Sequence, residues 1–180
     1  ALSPAAITLT PISTPFNTPI GIDHHTPTNK VVMSVNYGTG GAPYNFELVA
    51  SDGSRTQFSA VSGLTDEIKI ATAKDGLGGF TPGELFTGNG VDGEIVRISA
   101  DGTTVQNPWV SLGAGNGLMR GSLYVDRTGV WGGDLIVCTT NGYIWRINSA
   151  GVPTLVSSEL AGIHLEGLVT VPNDPVKYGP

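Results

Sequence analysis

The sequence has little charge, one cysteine and no long apolar run, and each shortage excludes a class of protein. Only 13% of its 180 residues are charged and the formal net charge is −6, so it offers no basic surface to neutralise the phosphates of a nucleic acid. The single Cys138 rules out an intrachain disulfide and is expected to be a small buried thiol. No apolar run approaches the roughly 18 residues that span a bilayer. We predict no nucleic-acid partner and no membrane span.

Several enzyme signals are missing as well. The sequence contains no Gly-x-Ser-x-Gly, His-Glu-x-x-His or Cys-x-x-Cys motif, which removes the common signals of hydrolases, metalloproteases and dithiol sites. A positively charged, apolar leader is absent, and the opening segment Ala1–Ala6 fits a mature N-terminus left after signal cleavage. Low charge, an acidic balance and abundant Thr, Ser and Gly favour a secreted, extracellular bacterial protein.

What the sequence has instead is a repeated strand-and-turn segment. Three such segments each end on a glycine, at intervals of 49 residues: Asn45–Gly53, Glu94–Gly102 and Tyr143–Gly151. Apolar and polar residues alternate within them, as in a strand with one buried face, and the closing glycine tolerates the positive φ of a tight turn. The 26 glycines and 12 prolines also fit a turn-rich all-β chain. A period in the forties to fifties indicates a blade array.

Each repeated segment is preceded by two strand patterns and followed by a short outer one, which gives four antiparallel strands per unit. We predict an all-β propeller of about three four-stranded blades plus the inner strand of a fourth. The predicted boundaries are 18–62, 63–113 and 114–161 for the blades, 1–17 for an N-terminal extension or closing strand, and 162–180 for the fourth inner strand and the start of its loop. The alternative is a closed β-sandwich of about twelve strands, which the even spacing of the glycines disfavours.

An array of three blades leaves its ends open. Propellers typically close with four to eight blades, because an open array leaves unpaired strand edges and an exposed sheet face. We therefore predict that the remaining blades come from a second fragment of one precursor or from a second copy of the chain.

The chain resembles a known group of propellers. The segments 133–137 (Gly-Asp-Leu-Ile-Val), 143–147 (Tyr-Ile-Trp-Arg-Ile) and 148–151 (Asn-Ser-Ala-Gly) are similar to those of six-bladed propellers of the gluconolactonase, strictosidine-synthase and NHL-repeat kind. The resemblance covers roughly residues 18–171 and implies a partial six-bladed ring. It implies little about activity, because one fold serves many functions.

Alignment of the predicted inner strands places Asp66, Arg120 and Glu166 in corresponding positions at one mouth of the central channel. Either Arg120 or a Ca²⁺ would compensate the two acids, since like charges brought close raise one another's pKa, and Arg120 is also a candidate catalytic residue. Three interpretations stay open: Arg120 closes the channel by pairing with the acids, the acids hold a metal, or the mouth binds an organic ligand. His164 lies two residues before Glu166 and is the candidate general base.

The resemblance adds a metal to this mouth. The resembling lactonases hold a divalent metal in the channel with Glu, Asp and Asn residues, which implies Asp66, Glu67 and Glu166 as ligands here. Ca²⁺ suits such hard oxygen ligands, and Asn89 or Asn141 would complete the set. The adjacent His24 and His25 are expected on a loop at the opposite face, in a structural or surface role, because neighbouring side chains on a strand point apart.

Two functions follow as hypotheses, and a third is structural. The first is an exported propeller that binds a ligand or a partner of unknown identity. The alternative is a metal-dependent, lactonase-like hydrolase in which the channel metal polarises a carbonyl group. The third is a component whose open blade edges drive assembly.

Overall fold

The computed structural model describes residues 9–13, 15–120 and 122–178, in which twelve strands form three antiparallel sheets of four. We call these sheets blades 1, 2 and 3. Blade 1 contains β1 (Ile22–His25), β2 (Lys30–Ser34), β3 (Phe46–Val49) and β4 (Arg55–Gln57). Blade 2 contains β5 (Ile70–Thr72), β6 (Leu85–Gly88), β7 (Glu94–Ile98) and β8 (Val105–Ser111). Blade 3 contains β9 (Ser122–Val125), β10 (Leu135–Cys138), β11 (Ile144–Ile147) and β12 (Pro153–Ser157).

Within each blade the strands pair in chain order, so every connection is a hairpin. The repeated segments form the third strands and the turns that follow them, as predicted. Gly53, Gly102 and Gly151 have φ angles of 84°, 77° and 81°, the left-handed conformation that glycine adopts without steric cost.

The blades pack face to face through alternating side chains of the middle strands. Between blades 1 and 2, the buried contacts include Val32, Phe46, Leu85, Val96 and Ile98. Between blades 2 and 3, they include Phe86, Ile95, Leu135, Val137 and Ile147. Neighbouring residues of β6 and β7 therefore enter different cores, because successive side chains of a strand point to opposite faces. Three sheets stacked in this way exclude the two-sheet sandwich.

The inner strands β1, β5 and β9 lie side by side and bring the blades together around one axis. The segment Glu166–Val171, predicted as a fourth inner strand, forms no strand in the structure. Leu168 nevertheless lines the same cavity as β1, β5 and β9. A strand needs a ladder partner for its backbone N–H and C=O groups, and the described residues that follow contain only the short helix α1 (Pro175–Tyr178).

Some predicted features lie outside the described residues. These are the opening segment Ala1–Ala6, Gly121 at the start of the predicted third inner strand, and the last two residues. Among the residues that are described, no helix is both long enough and apolar enough to cross a membrane.

The turn glycines should be much less replaceable than glycines that face open space. A methyl group at Gly102 would lie 1.9 Å from the carbonyl oxygen of Phe58, whereas one at Gly113, which also has a positive φ of 87°, would meet nothing within 4 Å. Gly113→Ala should cost only the backbone strain, about 1 kcal/mol. Gly102→Ala should lower the free energy of unfolding by roughly 2 kcal/mol more. Urea unfolding of both variants measures the difference, and equal losses would contradict the close contact.

Candidate functional site

The predicted channel mouth contains an ion pair between two blades. Arg120, just before β9, places Nη2 2.7 Å from Oδ1 of Asp66, which precedes β5. Asp66 also packs against Gly90, since a methyl group there would lie 3.1 Å from the Asp66 Cβ. The side chains of Arg120 and Asp66 are 34% and 17% exposed, respectively. This geometry agrees with the interpretation in which Arg120 closes the mouth.

The other predicted site residues lie apart from this pair or are more open to water. His164 Nε2 lies 3.5 Å from Glu166 Oε1, with the two side chains 47% and 60% exposed. Among the described residues, no three His, Cys, Asp or Glu side chains are gathered closely enough to hold a metal ion, and Glu67 is half-buried beside Asp66. The assignments of Asp66, Glu67 and Glu166 to Ca²⁺, and of His164 and Arg120 to catalysis, stay predictions.

The two candidate asparagines already make hydrogen bonds in loops. Asn89 Nδ2 donates to Glu94 Oε2 at 2.7 Å and to Asn107 Oδ1 at 2.8 Å. Asn141 Nδ2 donates to the carbonyl oxygen of Gly115 at 3.0 Å. Both side chains therefore stabilise connections between strands in this structure.

At the opposite ends of the inner strands lies a cavity that the sequence interpretation missed. Its volume is about 230 Å³, and residues from β1, β5 and β9 line it. The polar lining residues are Asp23, Thr72, Lys74, Tyr124 and Arg127. A signal was present in the sequence, because Lys74 and Arg127 each follow the last residue of an inner strand by two positions.

A hydrogen-bonded cluster joins blades 1 and 2 at the cavity wall. Lys74 Nζ pairs with Asp23 Oδ1 and donates to the carbonyl oxygen of His24 at 2.6 Å and to Thr72 Oγ1 at 2.5 Å. Asp23 Oδ2 accepts a hydrogen bond from the backbone N–H of Thr72 at 2.8 Å. Burial lowers the pKa of Lys74, while the hydrogen bond to Asp23 opposes the shift. All three N–H donors of the ammonium group are used.

The prediction that His24 and His25 lie on a loop was wrong, because both belong to β1, and His25 is fully buried between blades 1 and 2. Its Nε2 lies 2.9 Å from the carbonyl oxygen of Ala100, and its Nδ1 lies 2.8 Å from Thr28 Oγ1. A carbonyl oxygen only accepts, so Nε2 carries a proton and donates to Ala100, and in the neutral ring Nδ1 accepts from the Thr28 hydroxyl. Burial lowers the pKa of His25, and the hydrogen bond to Ala100 opposes this. The role of His25 is structural.

Comparison with known proteins bears on the fold. No protein-family model matches the sequence, and a search of curated proteins finds no match. A chain in the crystal structure of a nidogen/laminin complex is similar, with a TM-score of 0.59 and 14% identity, over 83% of this chain and 51% of that chain. That chain is a β-propeller, and at this identity the likeness shows the fold alone. This chain spans about half the length of the one it matches.

The fold is a β-propeller. Three four-stranded antiparallel blades around one axis and the likeness to a solved propeller agree on this. Membership of the gluconolactonase, strictosidine-synthase or NHL-repeat kind stays a prediction.

The burial of His25 predicts how stability depends on pH. Above the ordinary histidine pKa of about 6.5 the ring is neutral in both folded and unfolded chains, so it adds no pH dependence. Below that pH the unfolded chain binds a proton that the folded chain resists, so the free energy of unfolding should fall as the pH falls. Urea unfolding measured between pH 7 and pH 5 gives the change in the free energy of unfolding with pH. The slope of this change should be smaller for His25→Gln than for the wild type. His164→Gln, which removes an exposed histidine, is the control, and equal slopes for all three proteins would contradict the prediction.

The Asp66–Arg120 pair should contribute modestly to stability, because both side chains are partly exposed. A double-mutant cycle of Asp66→Asn and Arg120→Gln should give a coupling of about 0.5–1 kcal/mol.

Melting with calcium and with a chelator tests the metal prediction at the same mouth. A rise in Tm with calcium that Glu166→Gln removes would support the metal, whereas equal melting temperatures would leave the pair as a closure of the channel.

Proposed function

We propose that this chain is an exported interaction module that works as part of a propeller ring, with further blades docked on both of its terminal blades. The observation that carries the proposal is a contact repeated three times along the chain. In each repeat, residues that precede an inner strand cover the turn glycine of the blade to which that inner strand belongs.

The contact is clearest inside the array. Phe58, just after the outer strand β4 of blade 1, lies over Gly102 of blade 2. Trp109 and Val110 in the outer strand β8 of blade 2 lie over Gly151 of blade 3, where a methyl group would be 3.2 Å from Trp109 Nε1. At both junctions, residues in the outer strand of one blade or just after it thus pack on the turn that follows the third strand of the next blade.

The same position on blade 1 is filled by residues before β1. A methyl group at Gly53 would lie 1.8 Å from the carbonyl oxygen of Ile12, and Ser13 Oγ donates to the carbonyl oxygen of Gly53 at 2.9 Å. Arg55 fixes the next part of the segment, because its guanidinium donates to the carbonyl oxygen of Pro15 at 2.6 Å and lies 4.5 Å from the centre of the Phe16 ring. Ile12, Ser13, Pro15 and Phe16 therefore occupy the position that the outer strand of a preceding blade would take.

This equivalence predicts what the preceding blade provides. At both internal junctions, the carbonyl group two residues before the turn glycine accepts a hydrogen bond from the blade before it: Ala100 accepts from His25, and Ser149 accepts from Arg97 at 3.2 Å. The corresponding carbonyl in blade 1 belongs to Ser51, which lies on an exposed turn. A docked blade would supply the donor for it.

Both terminal faces are apolar and open. On blade 1, Phe16, Ile22, Val31, Met33 and Val49 surround a cavity of about 190 Å³, and Ile22 is 65% exposed. On blade 3, a cavity of about 400 Å³ is lined by Val130, Trp131, Ile136, Ile144, Val156 and the segment 168–171. Burial of such surface is what holds blades 1, 2 and 3 to one another, so the same force favours further blades at each end.

The comparison supports an interaction role without naming a partner. The similar solved chain belongs to a nidogen/laminin complex and is twice as long as the part that this chain matches. The source of the remaining blades stays as predicted, a second fragment or a second copy. Export and the lactonase-like alternative also stay predictions.

The open faces should make the isolated chain associate. Light scattering should give an average mass above that of one chain, rising with protein concentration, and the chain should bind an apolar dye such as ANS. Val156→Lys places a charge on the open face of blade 3 and should shift the mass toward a single chain. Val91→Lys is the matched control, because Val91 is also exposed but lies on the turn between β6 and β7. A stable monomer at all concentrations, without dye binding, would contradict the proposal.

A further inference from the structure

We propose that Arg127 and Tyr124 form a binding site for the acid group of a small organic anion whose apolar part occupies the cavity between the inner strands. This site lies at the ends of the inner strands opposite to the Asp66–Arg120 pair. Its lining comes from the three inner strands, from residues just after β5 and β9, and from Leu168.

The shape of the cavity sets the size and character of the ligand. Its volume of about 230 Å³ lies below the usual range of pockets for drug-sized ligands. Apolar residues of the inner strands and Leu168 also line the cavity. Ile22 is 65% exposed, whereas Ile70, Ala71, Leu123 and Val125 are buried in the cores between the blades. A short hydrocarbon chain would contact Ile22 and Leu168, because its transfer from water is favourable.

The charges around the cavity favour a negative group. Lys74 and Asp23 neutralise each other, and the three donors of the Lys74 ammonium are occupied by the cluster described above. Arg127 makes no ion pair with any described residue, although the chain as a whole carries a net charge of −6. Burial lowers the pKa of Lys74, and repulsion from the positive charge of Arg127 lowers it further. A bound anion would relieve this repulsion.

The loop that carries Arg127 is held in place by its buried neighbour Asp126. The carboxylate of Asp126 accepts hydrogen bonds from the backbone N–H groups of Thr128, Trp131 and Gly133 at 2.9, 2.9 and 3.1 Å. Burial alone would raise the pKa of Asp126, but these bonds and the Thr128 hydroxyl outweigh it and lower the pKa to about 2. The backbone beside Arg127 is therefore fixed before a ligand arrives, which reduces the entropy lost on binding.

A carboxylate is the acid group that this site favours. A guanidinium presents a planar pair of N–H donors that match two carboxylate oxygens, and Tyr124, which also lines the cavity, carries a hydroxyl that can donate. Inorganic phosphate offers a similar acid group but nothing for the apolar walls. We therefore infer a small aliphatic carboxylate as the ligand class.

Isothermal titration calorimetry of the full chain with three probes at equal ionic strength tests this inference. Sodium hexanoate should bind saturably with a Kd on the order of 1 mM. Hexylammonium chloride, which has the same chain and the opposite charge, should not bind. Inorganic phosphate should bind at least about tenfold more weakly than hexanoate, because it lacks the chain.

Variants locate the site. Arg127→Gln should weaken hexanoate binding by at least about tenfold, and Tyr124→Phe should weaken it less. Lys177→Gln, which removes a positive charge from the exposed helix α1, should leave it unchanged. The circular dichroism and Tm of Arg127→Gln should match the wild type, since Arg127 is exposed.

Four results would overturn the proposal. Three are no saturable hexanoate binding by the wild type, equal binding of hexanoate and hexylammonium, and equal weakening by Arg127→Gln and Lys177→Gln. The fourth is phosphate binding as tight as that of hexanoate, because the apolar lining residues would then have no part in recognition. Light scattering of the same samples measures association separately, so a failure of this inference can be told apart from a failure of ring completion.

Discussion

The burial of apolar side chains in the two cores between the blades is the interaction on which the rest of this structure depends. The turn after each third strand adds a close contact, because residues of the preceding segment lie over Gly53, Gly102 and Gly151, each of which has a positive φ. A methyl group would lie 1.8 and 1.9 Å from a carbonyl oxygen at Gly53 and Gly102, and 3.2 Å from Trp109 Nε1 at Gly151. Together these contacts hold neighbouring blades against each other, and the inner strands lie side by side around the axis.

The channel follows from the same arrangement. Residues before and after each inner strand are carried to opposite ends of the axis, so one chain builds two different polar clusters. At one end Asp66 pairs with Arg120 across blades 2 and 3. At the other end Lys74 and Asp23 tie blade 1 to blade 2, and Arg127 of blade 3 lines the cavity between the inner strands. Both ion pairs therefore join different blades, and the polar groups at the channel help to hold the array as well as to line it.

Much of the fold could be predicted from the sequence, because it depends on local chemistry. Alternation and a turn glycine define a hairpin wherever they occur, and their period gave the number of blades. The pairing of Asp66 with Arg120 followed from the alignment of inner strands. Burial of His25 could not be predicted in this way, since its partner Ala100 lies 75 residues away in the next blade. The strand predicted at Glu166–Val171 failed for a related reason, because a strand pattern forms a ladder only when a neighbouring strand is there to pair with it.

The covering of Gly53 by residues before β1 sets where the chain can be divided into single blades. Each turn glycine is covered by residues that precede the inner strand of its own blade: Ile12 before β1, Phe58 before β5 and Trp109 before β9. A fragment that starts at its inner strand would leave its turn glycine uncovered. The segment between two blades therefore serves both of them, and a blade cut out at its strand boundaries is not a complete packing unit.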